Sequence, residues 1–177
     1  MEQHTPDLAQ ISLRPFVLSD ADDLMVWATD ERVAKFCSWQ PYTSKDTAVD
    51  FIQNIPSNFS WCRAICVDDC AIGSVSVQYY SGNDKARAKS AELGYVLGSK
   101  YWGKGITTKA AKMAVETAFA EFPDLERLEA LVDVENVASQ KVLEKAGFQR
   151  EGILRKFLFI KGKSRNMVMF SVLRDEI

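Results

Sequence analysis

Residues Ala91–Thr108 read AELGYVLGSKYWGKGITT, and the fold turns on this stretch. Its first part, Ala91 to Leu97, has the look of a strand bounded by turn residues. Its second part, Lys100-Tyr101-Trp102-Gly103-Lys104-Gly105-Ile106-Thr107-Thr108, puts two glycines around a lysine where the strand hands over to a helix. That helix is expected over Thr107 to Phe122, with Ala110, Ala111, Ala114, Ala118 and Phe122 on its apolar side. The first N–H groups of a helix have no intrahelical partner, and the helix dipole adds partial positive charge there. Glycine removes the Cβ that would keep an anion off the backbone. Strand, glycine loop and helix start together make a phosphate or pyrophosphate site. A nucleoside triphosphate, a dinucleotide or coenzyme A all fit it. A Walker A loop needs four residues between its glycine and Gly-Lys-Ser/Thr, and GKGITT lacks that spacing. A dinucleotide fingerprint needs Gly or Ala where Thr108 stands.

Working outward, Ile11 to Phe16 alternates like a strand, and Ser19-Asp20 precedes a helix with Leu24, Trp27 and Ala28 on one face. A short helix is expected at ERVAKF, a loop at CSWQPY, and a second helix from Ser44 to Ile55, stopped by Pro56. Residues 61–67 and 71–79 suggest a hairpin over Asp68-Asp69, with Cys70 in the turn. A polar loop, YSGNDKARAKS, follows. After the glycine-loop helix come a strand at Leu128 to Val132 and a helix from Asn136 to Lys145, ended by Gly147. Two strands, about 154–160 and 165–173, meet over Lys161-Gly162-Lys163. The order is that of one mixed α/β domain over residues 1–177, the first ten forming a flexible tail.

Composition narrows the chemistry. The chain has 177 residues, 47% hydrophobic and 26% charged, with net charge −2. No half is strongly basic, which argues against nucleic acid as a partner. No apolar run approaches a membrane span, and Met1 to Gln10 is too polar for a signal peptide. A cytoplasmic protein is expected, with nuclear entry left open. Cys37, Cys62, Cys66 and Cys70 lack CxxC spacing, so neither a metal site nor a disulfide framework is expected. The lone histidine, His4, lies in the tail, which removes histidine triads. Carboxylates, hydroxyls, lysines and backbone must carry the chemistry.

The segment AELGYVLGSKYWGKGITTKAAKMAVETAF, followed by NVASQKVLEKAGFQREG, resembles the GNAT superfamily of N-acetyltransferases. Within it the chain is similar to the branch of the ribosomal-protein acetyltransferases RimJ and RimL and of the spermidine acetyltransferases. The family loop, Q/R-x-x-G-x-G/A, stands here as Lys100-x-x-Gly103-x-Gly105, departing at its first position. A second motif, N-x-x-S, is present as Asn136 and Ser139, with Gly147-Phe148 after it. LRPF and LSDADDL within 13–24 resemble the branch's opening, and RNMVMFSV its last strand. Only the first ten residues lie outside the resemblance.

The resemblance implies a mixed, mostly antiparallel sheet of about seven strands flanked by helices, with a splayed parallel pair holding CoA. It implies acetyl-CoA as co-substrate and an amine acceptor: a protein N-terminus, a polyamine or a small-molecule amine. Pyrophosphate would rest on Trp102, Gly103, Lys104, Gly105, Ile106, Thr107 and Thr108, and the pantetheine arm on Tyr95, Val96 and Leu97. Glu92 is the candidate base, on one strand face with Val96. The plainer alternative is a surface Glu paired with Lys89 or Lys100. Asn136 is expected on the CoA arm and Ser139 at the leaving sulfur, although both are also good helix caps. Many relatives use a tyrosine four residues after that serine, where Leu143 stands. Trp39 and Tyr42 are expected at the acceptor pocket, either lining it or packing it. A monomer or homodimer is expected, and a non-catalytic acyl-CoA-binding module remains the rival reading.

Overall fold

The computed structural model describes residues 10–80 and 87–177; His4, the N-terminal tail and most of the loop after Tyr80 lie outside the described residues. Chain order is β1 (Ser12–Arg14), α1 (Ala21–Ala28), α2 (Glu31–Ala34), α3 (Lys45–Asn54), β2 (Trp61–Val67), β3 (Cys70–Tyr79) and β4 (Ser90–Leu97). Then follow α4 (Ile106–Glu121), β5 (Arg127–Asp133), α5 (Val137–Lys145), β6 (Gln149–Ile160) and β7 (Lys163–Leu173). The strands form one sheet in the order β1-β2-β3-β4-β5-β7-β6. Every neighbouring pair is antiparallel except β4 and β5. That is the mixed, mostly antiparallel sheet that the family resemblance implies.

Each face of the sheet is covered by helices. Ala110, Ala111, Ala114 and Ala118 let α4 approach closely, and Val115 and Phe119 complete its buried stripe. These pack with Val75, Val77, Leu93 and Leu97 in the larger core. Phe122, expected on that stripe, falls one residue past the helix and stacks on Tyr79 at 5.3 Å. Leu24, Trp27, Ala28, Ala48 and Ile52 of α1 and α3 make the second core, against which Val96 packs. Side chains alternate across a strand, so Val96 and its neighbour Leu97 report opposite faces.

Some local expectations shift for physical reasons. Asp20 stands before α1 but does not cap it; its carboxylate takes both Arg14 guanidinium nitrogens at 2.8 Å and the Val17 N–H at 2.9 Å. Cys70 opens β3 instead of sitting in the turn, because Asp68 and Asp69 alone turn the chain, both with positive φ. Strand β6 starts at Gln149, well before 154: pairing with β7 carries it through two register shifts, at Gly152 and beside Lys156. Tertiary pairing outweighs the weak strand propensity of QREG.

Candidate active site

Strands β4 and β5 pair over three rungs only, Ser90↔Arg127, Ala91↔Leu128 and Glu92↔Glu129. Beyond Glu92 they part, because β4 stays with β3 as far as Leu97 while β5 stays with β7 as far as Asp133. The split leaves two strand edges facing each other across a cleft of about 660 Å³. Unpaired backbone donors and acceptors along a slot suit an extended ligand that carries amides of its own.

One end of the cleft is the glycine loop. The chain leaves β4 through a turn in which the Gly98 N–H bonds Ile72 O at 2.8 Å. Trp102 then folds back, its indole N–H on Leu97 O at 2.8 Å, with the ring 48% exposed beside the cleft. Gly103 and Gly105 take φ of +75° and +78°, the left-handed region that penalises any Cβ. Gly105 is the N-cap of α4, and no side chain caps that helix or puts a carboxylate in its first turn. The N–H groups there stay available to an anion. Gly103, Gly105, Ile106, Thr107 and Thr108 all line the cleft. Lys104 does not; its ammonium lies over the Tyr101 ring at 5.8 Å.

The cleft's middle brings Tyr95, Val96 and Leu97 opposite Asn136 and Ser139. Asn136 caps α5 through its side-chain oxygen, which accepts from the Ser139 N–H at 3.2 Å. Tyr95 contributes more than backbone. Its phenol crosses the split to lie 2.7 Å from Ser139 Oγ and 3.1 Å from Ser139 O. Burial pushes this phenol up to about 12, with the Ser139 hydrogen bond opposing. It therefore keeps its proton at neutral pH. Leu143 is fully buried in the core and presents nothing to the cleft, so it is not an empty donor position.

Glu92 stands on the last paired rung, below the point of splitting and outside the cleft's lining. Neither Lys89 nor Lys100 is its partner. Tyr80 donates to it at 2.7 Å, and the same hydroxyl lies 3.4 Å from Glu129 Oε1. Two carboxylates face each other across this rung, which would repel strongly in a buried place. Glu129 is relieved by ion pairs with Arg87 and Arg127, and Arg87 also covers the Tyr80 ring. Desolvation, then the bond to Glu92, push the Tyr80 phenol up to about 12.

The far side of the cleft is formed by α2 and the turn after it. Val33, Phe36 and Cys37 line it, with Met167 from β7. Burial pushes the Cys37 thiol up to about 11, so it stays an unreactive wall. Trp39 and Tyr42 lie elsewhere: their rings, 5.4 Å apart, pack half-buried on the α1 and α3 cluster. The apolar spacing of Val33, Phe36 and Cys37, three and four residues apart, was the available signal for this wall. Among the described residues no cluster of His, Cys, Asp and Glu could hold a metal, and no helix is long and apolar enough to cross a membrane.

Known proteins share this fold. The family profile described as an acetyltransferase (GNAT) domain matches residues 10–149. An N-acetyltransferase of Bacillus licheniformis, p20, is 33% identical over 175 residues, covering 94% of each chain. The structure of spermidine N-acetyltransferase from Vibrio cholerae, in complex with CoA and spermine, superposes with a TM-score of 0.77 at 21% identity, covering 95% of this chain and 98% of that one. Mycobacterium smegmatis RimJ, in complex with CoA-disulfide, superposes with a TM-score of 0.74 at 26% identity, covering 94% and 83%. With its cleft between splayed strands and its uncapped helix start, the chain belongs to the GNAT family and is an acetyl-CoA-dependent N-acetyltransferase.

Proposed function

We propose that the acceptor is a primary amine that attacks acetyl-CoA directly while both occupy the cleft. The observation that carries this is the Tyr95–Ser139 hydroxyl pair, set between two unpaired strand edges. The pyrophosphate rests on the N–H groups from Gly103 to Thr108, since that of Trp102 is spent on Ser99 O, and the pantetheine amides run along Tyr95, Val96 and Leu97. Asn136 has spent its oxygen on Ser139, which leaves its NH₂ for the arm. The amine enters from the α2 side, past Phe36 and Cys37. Trp39 and Tyr42 then act by holding the α2 to α3 segment in place.

The amine nitrogen forms a bond to the acetyl carbon, and the carbon–sulfur bond breaks. The ammonium's extra proton leaves before attack, to Glu92 through water, since Glu92 lies just below the split. Ser139 gives its proton to the departing sulfur and takes one from Tyr95, and the second proton shed by the attacking nitrogen as the amide forms returns through cleft water to the Tyr95 oxygen. The products are an amide and CoA thiol, and no covalent enzyme intermediate is needed. Rate comes chiefly from positioning and from one donor aimed at the developing thiolate. Thiol release with a panel of α-amino peptides, polyamines and small amines tests this. Amine-dependent release at saturating acetyl-CoA is the expected result. Acetyl-CoA binding with only amine-independent release would overturn it.

A further inference from the structure

Residues 155–165, RKFLFIKGKSR, gather five cations and no carboxylate, in a chain whose 22 basic residues are outnumbered by 24 acidic ones. They form the outer end of the β6–β7 hairpin. Arg155, Lys156 and Lys163 are exposed and make no ion pair among the described residues. Phe157 and Phe159, 50% and 75% exposed, stand among them. An apolar pair this exposed within such charge is unusual for a surface with no partner. Strand β6 is the edge of the sheet, so its outer backbone groups are unpaired.

The hairpin borders the acceptor end of the cleft. The Lys161 ammonium donates to Ala34 O at 2.7 Å, which fastens the hairpin tip to α2. Val33 and Lys35, on either side of Ala34, line the cleft. On the β7 side of the same end Arg165 pairs with Asp133 and Glu135, the two carboxylates in the cleft's lining. The acceptor end is therefore left with the cations Arg32 and Lys35, of which Arg32 is paired with Asp30.

We propose that this hairpin is the docking surface for the acceptor, and that the acceptor is an acidic polypeptide whose α-amino end enters the cleft past α2. The proposal rests on the amine-transfer reading above. A polyamine would meet the hairpin's cations here, and the two carboxylates of the cleft's lining are already paired with Arg165. A single-stranded RNA would match the charge and the phenylalanines, yet it brings no aliphatic amine to accept the acetyl group. A peptide brings that amine, carboxylates for Arg155, Lys156 and Lys163, and backbone groups for the open edge of β6.

The test uses ten-residue peptides with free N-termini, acidic, neutral or basic after the first residue, and spermidine. Thiol release is measured with wild type and with Arg155→Glu/Lys163→Glu, and acetyl-CoA calorimetry is run on both. The acidic peptide should exceed the basic one in kcat/KM by ~10-fold or more, an advantage that shrinks with salt. The charge-reversed protein should lose that advantage through KM, keeping its melt and its acetyl-CoA affinity. Phe159→Ala should also raise KM for the acidic peptide. Equal use of acidic and basic peptides, preference for spermidine, or an unaltered double variant would overturn the proposal. So would competition by a single-stranded RNA or an anionic vesicle where an N-terminally blocked acidic peptide fails to compete. Acetyl-CoA binding without transfer to any peptide sinks the docking proposal alone, whereas a wild type that does not bind acetyl-CoA sinks the reading beneath it.

Discussion

Removing the Ser139 hydroxyl should separate catalysis from folding, because among the described residues that hydroxyl has one partner and no capping duty. The α5 cap is Asn136, and it bonds the Ser139 backbone, which Ser139→Ala retains. The side chain's own bond is to Tyr95, at 2.7 Å. Losing one such bond costs about 0.5–1.5 kcal/mol. For a chain of this size that is a fall of ~2–4 °C in Tm per kcal/mol. Tyr95 also keeps a second acceptor, Ser139 O at 3.1 Å, so its phenol is not left unpaired. Catalysis should suffer far more. A donor aimed at developing charge is worth ~10²–10³-fold in kcat. Tyr95→Phe keeps the serine but removes its proton supply and leaves Ser139 O without that donor, so a smaller rate loss, ~10-fold, should accompany a stability loss of about 1 kcal/mol. The pH profile adds a check. A phenol raised to about 12 stays protonated below that value, so the wild-type rate should not decline through pH 8–10 for want of this donor. Steady-state thiol release at saturating amine and acetyl-CoA, with melts of all three proteins, reads these effects. If Ser139→Ala lowers Tm but keeps full kcat, the pair is structural and the sulfur takes its proton from water.

Three further outcomes follow from the same geometry. Gly105→Val puts a β-branched side chain at φ +78°, which should cost at least ~1–2 kcal/mol of stability and abolish acetyl-CoA binding by calorimetry; an unchanged Kd would remove the loop from the cofactor site. Glu92→Gln should cut kcat by ~10²–10⁴-fold with acetyl-CoA affinity intact, and by less for an α-amino acceptor, whose pKa of ~8 leaves more of it already neutral; a mutant with full kcat at pH 6.5 would strike Glu92 from the mechanism. Glu151 is held down to about 2 by Arg127 and then Ser171, against an ordinary value of 4.5. Its folded pKa is depressed, so its stabilisation is complete above pH 4.5 and fades as pH falls toward 2. Its side chain is 41% exposed, so solvent screening reduces the stake to about 1 kcal/mol. Glu151→Gln should lose that increment at pH 7 but not near pH 2, and equal losses at both would refute the pairing.

Much of the fold was legible because local signals and burial agree in it. The alanine stripe of α4, the Asp68-Asp69 turn and the left-handed Gly147 each report short-range geometry, and each stands where the sequence puts it. What escaped reading depends on distant chain. The early start of β6 is imposed by β7, and Phe122 leaves its helix to stack on Tyr79. In the site, the left-handed glycines and the uncapped start of α4 were readable from the sequence, while side-chain positions needed the split between β4 and β5. The sequence suggests only a backbone role for Tyr95, whereas its phenol spans that split. Trp39 and Tyr42 drew attention as aromatics in a loop, yet aromatic area is as useful to a core, and the α1 and α3 cluster holds them.

The placement of Glu92 and Tyr95 follows from parity, and parity gives the proposed reaction its layout. They are three residues apart on one strand, an odd offset, so they face opposite sides of the sheet. Tyr95 goes with Leu93 and Leu97 toward α4 and α5, where Ser139 waits. Glu92 goes with Val96 toward α1 and α3, the side from which the amine enters in the proposed reaction. A sheet with an intact β4–β5 ladder would keep these two groups apart by its own backbone. Because the ladder ends at Glu92↔Glu129, the slot beyond it opens one face to the other. The proton of the incoming ammonium and the proton for the leaving thiolate can then be handled on separate sides. Neither carboxylate nor phenol must tolerate the other's charge, and the phenol's raised pKa and the carboxylate's hold on Tyr80 are independent of each other. A one-residue slip of β4 would bring Glu92 to the α5 face and send Tyr95 away from Ser139. The register Glu92↔Gln78 and Tyr95↔Val75 against β3 is what prevents it, so the proposed base and the proposed proton donor are both fixed by the strand on the side away from the cleft.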